Sequence, residues 1–146
     1  PHRVVTAALV IALLIPTLIE LERRYERVDR SGDTYARSWV DTALARMEPG
    51  AVVVSWWSYS TSLWYAQVIE GRRPDIDIID DRTRLDRGLG DIYDVIDANL
   101  PHRPVYVIRI EPPEVAGVAG RYVLEQLEGF DPSMLARVVA KREAGG

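Results

Sequence analysis

Ala51-Val-Val-Val-Ser55 decides the fold. It is an unbroken, β-branched apolar run without the polar alternation of a half-exposed strand, so it reads as a strand covered on both faces. The flanking sequence fits that reading. Upstream, Tyr35, Ala36, Trp39, Val40, Ala43, Leu44 and Met47 recur at helical spacing. They predict a helix over about Thr34 to Met47, stopped by Pro49-Gly50. Downstream, Ser60 to Glu70 predicts a helix with Leu63, Trp64, Gln67 and Val68 on one side and Gly71 at its end. Asp75-Ile-Asp-Ile-Ile79 is a second strand. Leu89, Ile92, Tyr93, Ile96 and Leu100 mark a third helix ended by Pro101, and Val105-Tyr-Val-Ile-Arg-Ile110 is a third strand. Strands alternating with helices predict a parallel sheet joined by right-handed crossovers. Tyr122 to Leu127 and Leu135 to Lys141 flank Gly129-Phe130-Asp131-Pro132 and are close enough to pair as a hairpin on the sheet edge. Pro112 to Gly120 reads as a connector with at most one helical turn. The expected class is α/β. A small three-layer domain, residues 33–146, holds a three-stranded parallel sheet extended by a C-terminal antiparallel hairpin, in a Rossmann-like arrangement.

The chain has 146 residues, 47% of them hydrophobic and 27% charged, a globular composition and not a disordered one. Its net charge of −4 argues against binding a nucleic-acid backbone, which needs a basic surface. With no cysteine, a disulfide scaffold, a thiolate zinc site, an iron–sulfur cluster and a Cys nucleophile are excluded. The two histidines, His2 and His102, are too few and too far apart in sequence for a His-rich metal site, and they speak against a His-based triad.

Before the domain lies Val4 to Ile19, a run of 16 residues without charge. A spanning helix takes roughly 20 apolar residues. Because the chain starts at Pro1, the expectation is the last transmembrane helix of a longer protein with a truncated start. A signal peptide lacks a small-residue cleavage site here; an N-terminal anchor is the next reading, and a buried core helix, the bland one, ranks after it. Glu20 to Arg30 continues as a helical stalk, with Glu20 and Arg24, and Glu26 and Arg30, spaced to pair. Residues 1–32 form this first unit. Four arginines follow the apolar run against one before it, which by the positive-inside rule places the domain in the cytoplasm.

Ligands of open α/β sheets collect beyond the carboxyl ends of the strands. Three groups stand there: Trp56-Trp57-Ser58-Tyr59-Ser60-Thr61 after strand one, Asp80-Asp81-Arg82-Thr83 after strand two, and Arg109 with Glu111 after strand three. The first group, with Trp64 and Tyr65, concentrates aromatics beside hydroxyls at a helix start. Such faces bind a sugar or a sugar phosphate, and they equally suit a lipid headgroup layer or core packing, with Ser60 as a helix cap. The candidate ligand-binding residues are Trp56, Trp57, Ser58, Tyr59, Ser60, Thr61, Tyr65, Asp80, Asp81 and Arg82. Asp75, Asp77, Asp80 and Asp81 also offer carboxylates to Mg²⁺ or Mn²⁺, and Asp80 and Asp81 could serve a stand-alone metal-dependent transferase or hydrolase. They serve as well for salt bridges and caps. Arg87-Gly88-Leu89-Gly90 lacks the full dinucleotide pattern, and neither a P-loop nor a Gly-x-Ser-x-Gly elbow occurs. No catalytic constellation stands out.

Ser60 to Ile79 resembles the soluble C-terminal region of bacterial O-mannosyltransferase-like polytopic membrane glycosyltransferases. Leu63, Trp64, Tyr65, Gln67, Glu70, Gly71, Arg73, Pro74 and Asp75 match the pattern, and the similarity extends over about Asp41 to Asp81. Trp56-Trp57-Ser58-Tyr59 departs from it, where relatives carry Asn/Asp-rich residues. The resemblance implies a non-catalytic extracytoplasmic domain of an enzyme that takes a sugar from a polyprenyl-phosphate donor. It implies that the catalytic acids lie in a membrane domain absent from this chain. The implied partners are membrane lipid, that membrane domain, and the polyprenyl-phosphate sugar or its acceptor; no cofactor is implied. It opposes the arginine count and outweighs it, because four acids interleave with those arginines. A purely structural module on a membrane anchor is the alternative; exposed tryptophans at the rim would speak for binding and buried ones for structure.

Overall fold

The computed structural model describes residues 2–29, 31–109, 112–130 and 135–143. Ile110 and Glu111 of the third strand and rim, Asp131 and Pro132 of the hairpin turn, and Arg30 of the stalk lie outside them, as do the side chains of Arg24 and Glu26. The chain divides into two units, Pro1–Thr34 and Tyr35–Gly146.

The first unit is helix α1 (His2–Val28), which runs through Pro16. Val5, Leu9, Val10, Ile11, Leu13, Leu14 and Ile15 are all exposed. At 100° per residue they point to every side, so α1 has no polar face over this stretch and suits apolar surroundings. The expected spanning helix is nevertheless not met: no helix among the described residues is long and apolar enough to cross a membrane. The charge-free run rises only ~24 Å, short of the ~30 Å of a bilayer core.

The second unit comprises α2 (Tyr35–Arg46), β1 (Val52–Ser55), α3 (Trp57–Trp64), β2 (Asp77–Asp80), α4 (Asp81–Asp86), α5 (Ile92–Asn99), β3 (Val105–Val107), α6 (Pro112–Arg121), β4 (Tyr122–Gln126) and β5 (Ala136–Lys141). The sheet order is β2-β1-β3-β5-β4. β1 pairs in parallel with β2 and β3, β5 runs antiparallel to β3, and β4 closes the hairpin. This is the three-stranded parallel core with its C-terminal hairpin. β1 is fully buried because both of its faces are covered. Val53 joins Trp39, Leu44, Leu63, Ile78 and Tyr106 beneath α2 and α3, while Val52 and Val54 join Val95, Ile96, Val107, Val118 and Tyr122 beneath α5 and α6. Burying each such valine contributes about 1.5–3 kcal/mol.

Four elements differ from expectation, each for a local reason. The helix expected from Ser60 begins at Trp57, because the extended Trp56 offers its carbonyl to the N–H groups of Tyr59 and Ser60. It then widens into a π-helical turn, Tyr65–Ile69. The segment after β2 forms α4, capped by the Asp80 carboxylate, which accepts the Thr83 N–H at 2.7 Å. The third helix starts only at Ile92, where Asp91 and Asp94 form a reciprocal capping box. Gly90, at φ 79°, leaves the room Asp94 needs, since any side chain there would collide with it. The connector at Pro112 is a ten-residue helix, with proline tolerated at its first turn.

The amino edge of the sheet is tied by arginines. Arg73 adopts φ 45°, unusual for a residue with a side chain. Its guanidinium donates to the carbonyls of Leu44, Met47 and Glu48 at 2.5, 2.9 and 2.9 Å, completing the C-terminal end of α2. It also forks onto Asp75 through two 2.9 Å bonds. Asp75 in turn accepts the Gly50 N–H. Arg103 donates to the Gly50 carbonyl at 2.7 Å. On the opposite sheet face the buried Tyr122 hydroxyl donates to Asp97 at 2.8 Å; burial first, then this bond, raises its pKa.

Arg73→Ala should destabilise the chain by about 2 kcal/mol, from lost charge-assisted hydrogen bonds. Arg73→Lys should not restore it, lacking the planar fork; urea titration reads both. The Arg73 guanidinium holds the Asp75 carboxyl well below its usual range, the Lys141 bond does so for Asp97, and the Arg37 bond for Glu70. Depressed carboxylates stabilise above their unfolded pKa of about 4, and that contribution is lost as pH falls through the folded values. The thermal midpoint should therefore fall below about pH 4, and less steeply in Asp75→Asn.

Candidate ligand site

The carboxyl ends of β1, β2 and β3 share one edge, with Ser55 in register with Asp80 and Val54 with Val107. The structure divides the residues expected there into three sets.

The first set lines a groove between α2 and α3. Two adjoining cavities of about 380 and 270 Å³ share Ala36 and Ser62. Thr61 and Tyr65 line the larger, and Ser58 and Tyr59 the smaller. Tyr59 lies against Trp39 with ring centroids 4.7 Å apart, and Trp39 meets Phe130 edge-on at 6.0 Å. Burial pushes the Tyr59 hydroxyl pKa up, and Tyr35 adds to it. Trp39 is buried, its Nε1 has no acceptor, and its ring lines the smaller cavity. Tyr65 is 57% exposed, leaving one face free to stack.

Arg37 lines the larger cavity, and its charge is compensated. It pairs with Glu70 and lies 3.5 Å from Asp41, while Arg72 bridges Asp41 and Glu70. These pairs join α2 to the chain following α3 and leave the groove with hydroxyls, aromatic faces and no uncompensated guanidinium. Such a lining suits a neutral hydroxylated ligand with apolar faces.

A second set serves the fold. The Trp56 carbonyl accepts the hydroxyls of Ser55 and Ser60, both at 3.1 Å, and Ser60 is buried. Ser60 therefore fastens the first helical turn instead of capping it. Trp57 is 61% exposed and lines neither cavity. Arg82 extends outward and bonds Asp86 at 2.8 Å, so it faces neither the groove nor Asp81.

The third set is acidic. Asp80 caps α4, and Asp81 lies between Arg84 and Arg109 at 3.7 and 3.5 Å. Among the described residues no group of three or more Asp, Glu or His side chains converges to hold a metal.

Ala36, Trp39, Val40 and Ser62 were missed as groove residues. Ala36 and Ser62 line both cavities, and their short side chains leave room that larger ones would fill; only the packing of the two helices reveals it. The matched pattern from Leu63 to Asp75 is mostly structural. Leu63 is core, Gln67 donates to the Arg73 and Ile76 carbonyls, Gly71 has φ 67°, and Arg73 and Asp75 form the edge clamp.

Trp39→Ala should cost about 3–5 kcal/mol by urea titration, as a core aromatic does. Trp57→Ala should stay within about 0.5 kcal/mol.

Compared with known protein families, curated proteins and solved structures, the chain matches none.

Proposed function

We propose that this chain is a non-catalytic, membrane-associated extracytoplasmic domain of a glycosyltransferase that draws its sugar from a polyprenyl-phosphate donor, and that the α2–α3 groove holds the sugar or its acceptor. The observation that carries the binding role is the groove itself, with Tyr59 and Tyr65 beside Ser58, Thr61 and Ser62. Tyrosine rings offer flat apolar faces to a sugar ring, and the hydroxyls offer hydrogen bonds. The resemblance of Ser60 to Ile79 supports the transferase context. The apolar surface of α1 from Val5 to Ile15 supports membrane association, as a helix apolar on every side suits apolar surroundings. A purely structural module is the second reading, favoured by the Trp39–Tyr59–Phe130 packing, which uses part of the aromatic set as core.

The test is tryptophan fluorescence of the full chain in a neutral polyoxyethylene detergent, titrated with methyl α-mannoside and with mannose. Binding in the groove gives a saturable change that Tyr65→Ala weakens and Ser62→Leu abolishes, with far-ultraviolet circular dichroism unchanged in both. A folded chain that shows no saturable change with either sugar supports the structural module instead.

A further inference from the structure

We propose that the carboxyl edge of the sheet carries a second site, built on Arg109 and Arg84, that binds a phosphate-type oxyanion. It stands independently of the groove, whose own guanidinium is paired. The topology supplies the place. β1 and β3 are adjacent and parallel. α3, which follows β1, packs on one face of the sheet, and α6, the next helix after β3, packs on the other. Beyond the carboxyl ends of two such strands is where α/β sheets hold ligands.

Arg109 follows β3 at that edge and is only 3% exposed. A buried guanidinium requires acceptors for its N–H groups. Among the described residues Arg109 Nε and Nη1 have none, and Nη2 lies 3.5 Å from Asp81 Oδ1. Arg84 approaches the same oxygen at 3.7 Å through Nη2, its Nη1 donates to the Gly90 carbonyl, and its Nε is buried without a partner among the described residues. Both approaches to Asp81 exceed hydrogen-bonding distance. Two guanidiniums thus flank one carboxylate oxygen that bonds neither well, and Arg84 Nε, Arg109 Nε and Arg109 Nη1 stand idle. Asp80 is also close in sequence and buried, but its Oδ1 is held by the Thr83 N–H. Asp81 is 32% exposed, so the cluster meets solvent on that side.

The unmet demand is for several acceptor oxygens on one compact anion. A phosphate monoester or diester supplies them, and guanidinium forks match its geometry. Asp81 then acts as the competing carboxylate that the ligand displaces. The shared chemistry is the phosphate group, carried either by a soluble ester or by a lipid.

The full chain in neutral polyoxyethylene detergent is titrated with sodium phosphate at constant ionic strength, with sodium chloride as control. Tryptophan fluorescence is read, Trp56 lying on the same edge next to Ser55. The expected result is a saturable response to phosphate and none to chloride. Arg109→Gln and Arg84→Gln should each weaken it about tenfold or more, the worth of a charge-assisted hydrogen bond. Asp81→Asn should tighten it severalfold. Should Arg109→Gln unfold the chain, Arg84→Gln and Asp81→Asn decide, as both act on partly exposed side chains. Micelles doped with phosphatidic acid that compete with phosphate identify a lipid phosphate as occupant; undisturbed phosphate binding identifies a soluble one. The proposal is overturned by a folded chain that shows no saturable phosphate response. It is equally overturned if Asp81→Asn lowers the thermal midpoint and leaves phosphate affinity unchanged, the signature of an ordinary ion pair.

Discussion

The fork of Arg73 onto Asp75 and three carbonyls at the end of α2 is the constraint on which the parallel core depends. A left-handed backbone at a residue with a Cβ costs about 1–2 kcal/mol. Here the charge-assisted bonds offset it and use up carbonyls that α2 would otherwise leave open. Through Asp75 the fork reaches Gly50, the residue before the start of the buried strand run. The positions of α2, β1 and β2 are thereby linked through one side chain. The contrast with the opposite edge is instructive. At the amino end Arg73 and Arg103 donate to carbonyls; at the carboxyl end Arg84 and Arg109 keep donors without acceptors among the described residues. One residue type serves as fastener at one end of the sheet and as unused capacity at the other.

The sheet was legible because its strands announce themselves by composition. Ala51 to Ser55 cannot be solvated on either face, and once it is central the short parallel crossovers and the hairpin follow. The helical segments were less legible where short-range capping decides them. α4 exists because Asp80 takes an N–H three residues on, and α6 because a double proline begins a helix as readily as it ends one. Neither event has a periodic signature.

The candidate site was legible by region and not by residue. Aromatic enrichment after β1 pointed to Tyr59 and Tyr65, yet the same enrichment drew in Trp57 and Ser60, which line neither of the two cavities. The groove arises from what is missing between helices, at Ala36 and Ser62, and small residues carry no chemical signal in a sequence. Arg109 stood in the expected rim, but only its burial and empty N–H groups distinguish it from the paired arginines around it.

The sheet also ends in a controlled way. β2 and β4 are its outer strands. β2 has four residues and carries Asp77, 3.3 Å from Arg87. β4 is interrupted by a register shift between Val123 and Leu124, and carries Glu125 beside Arg137. A short charged strand and a kinked one are poor templates for a further strand from another chain. These two borders guard the sheet against edge-to-edge pairing with another strand.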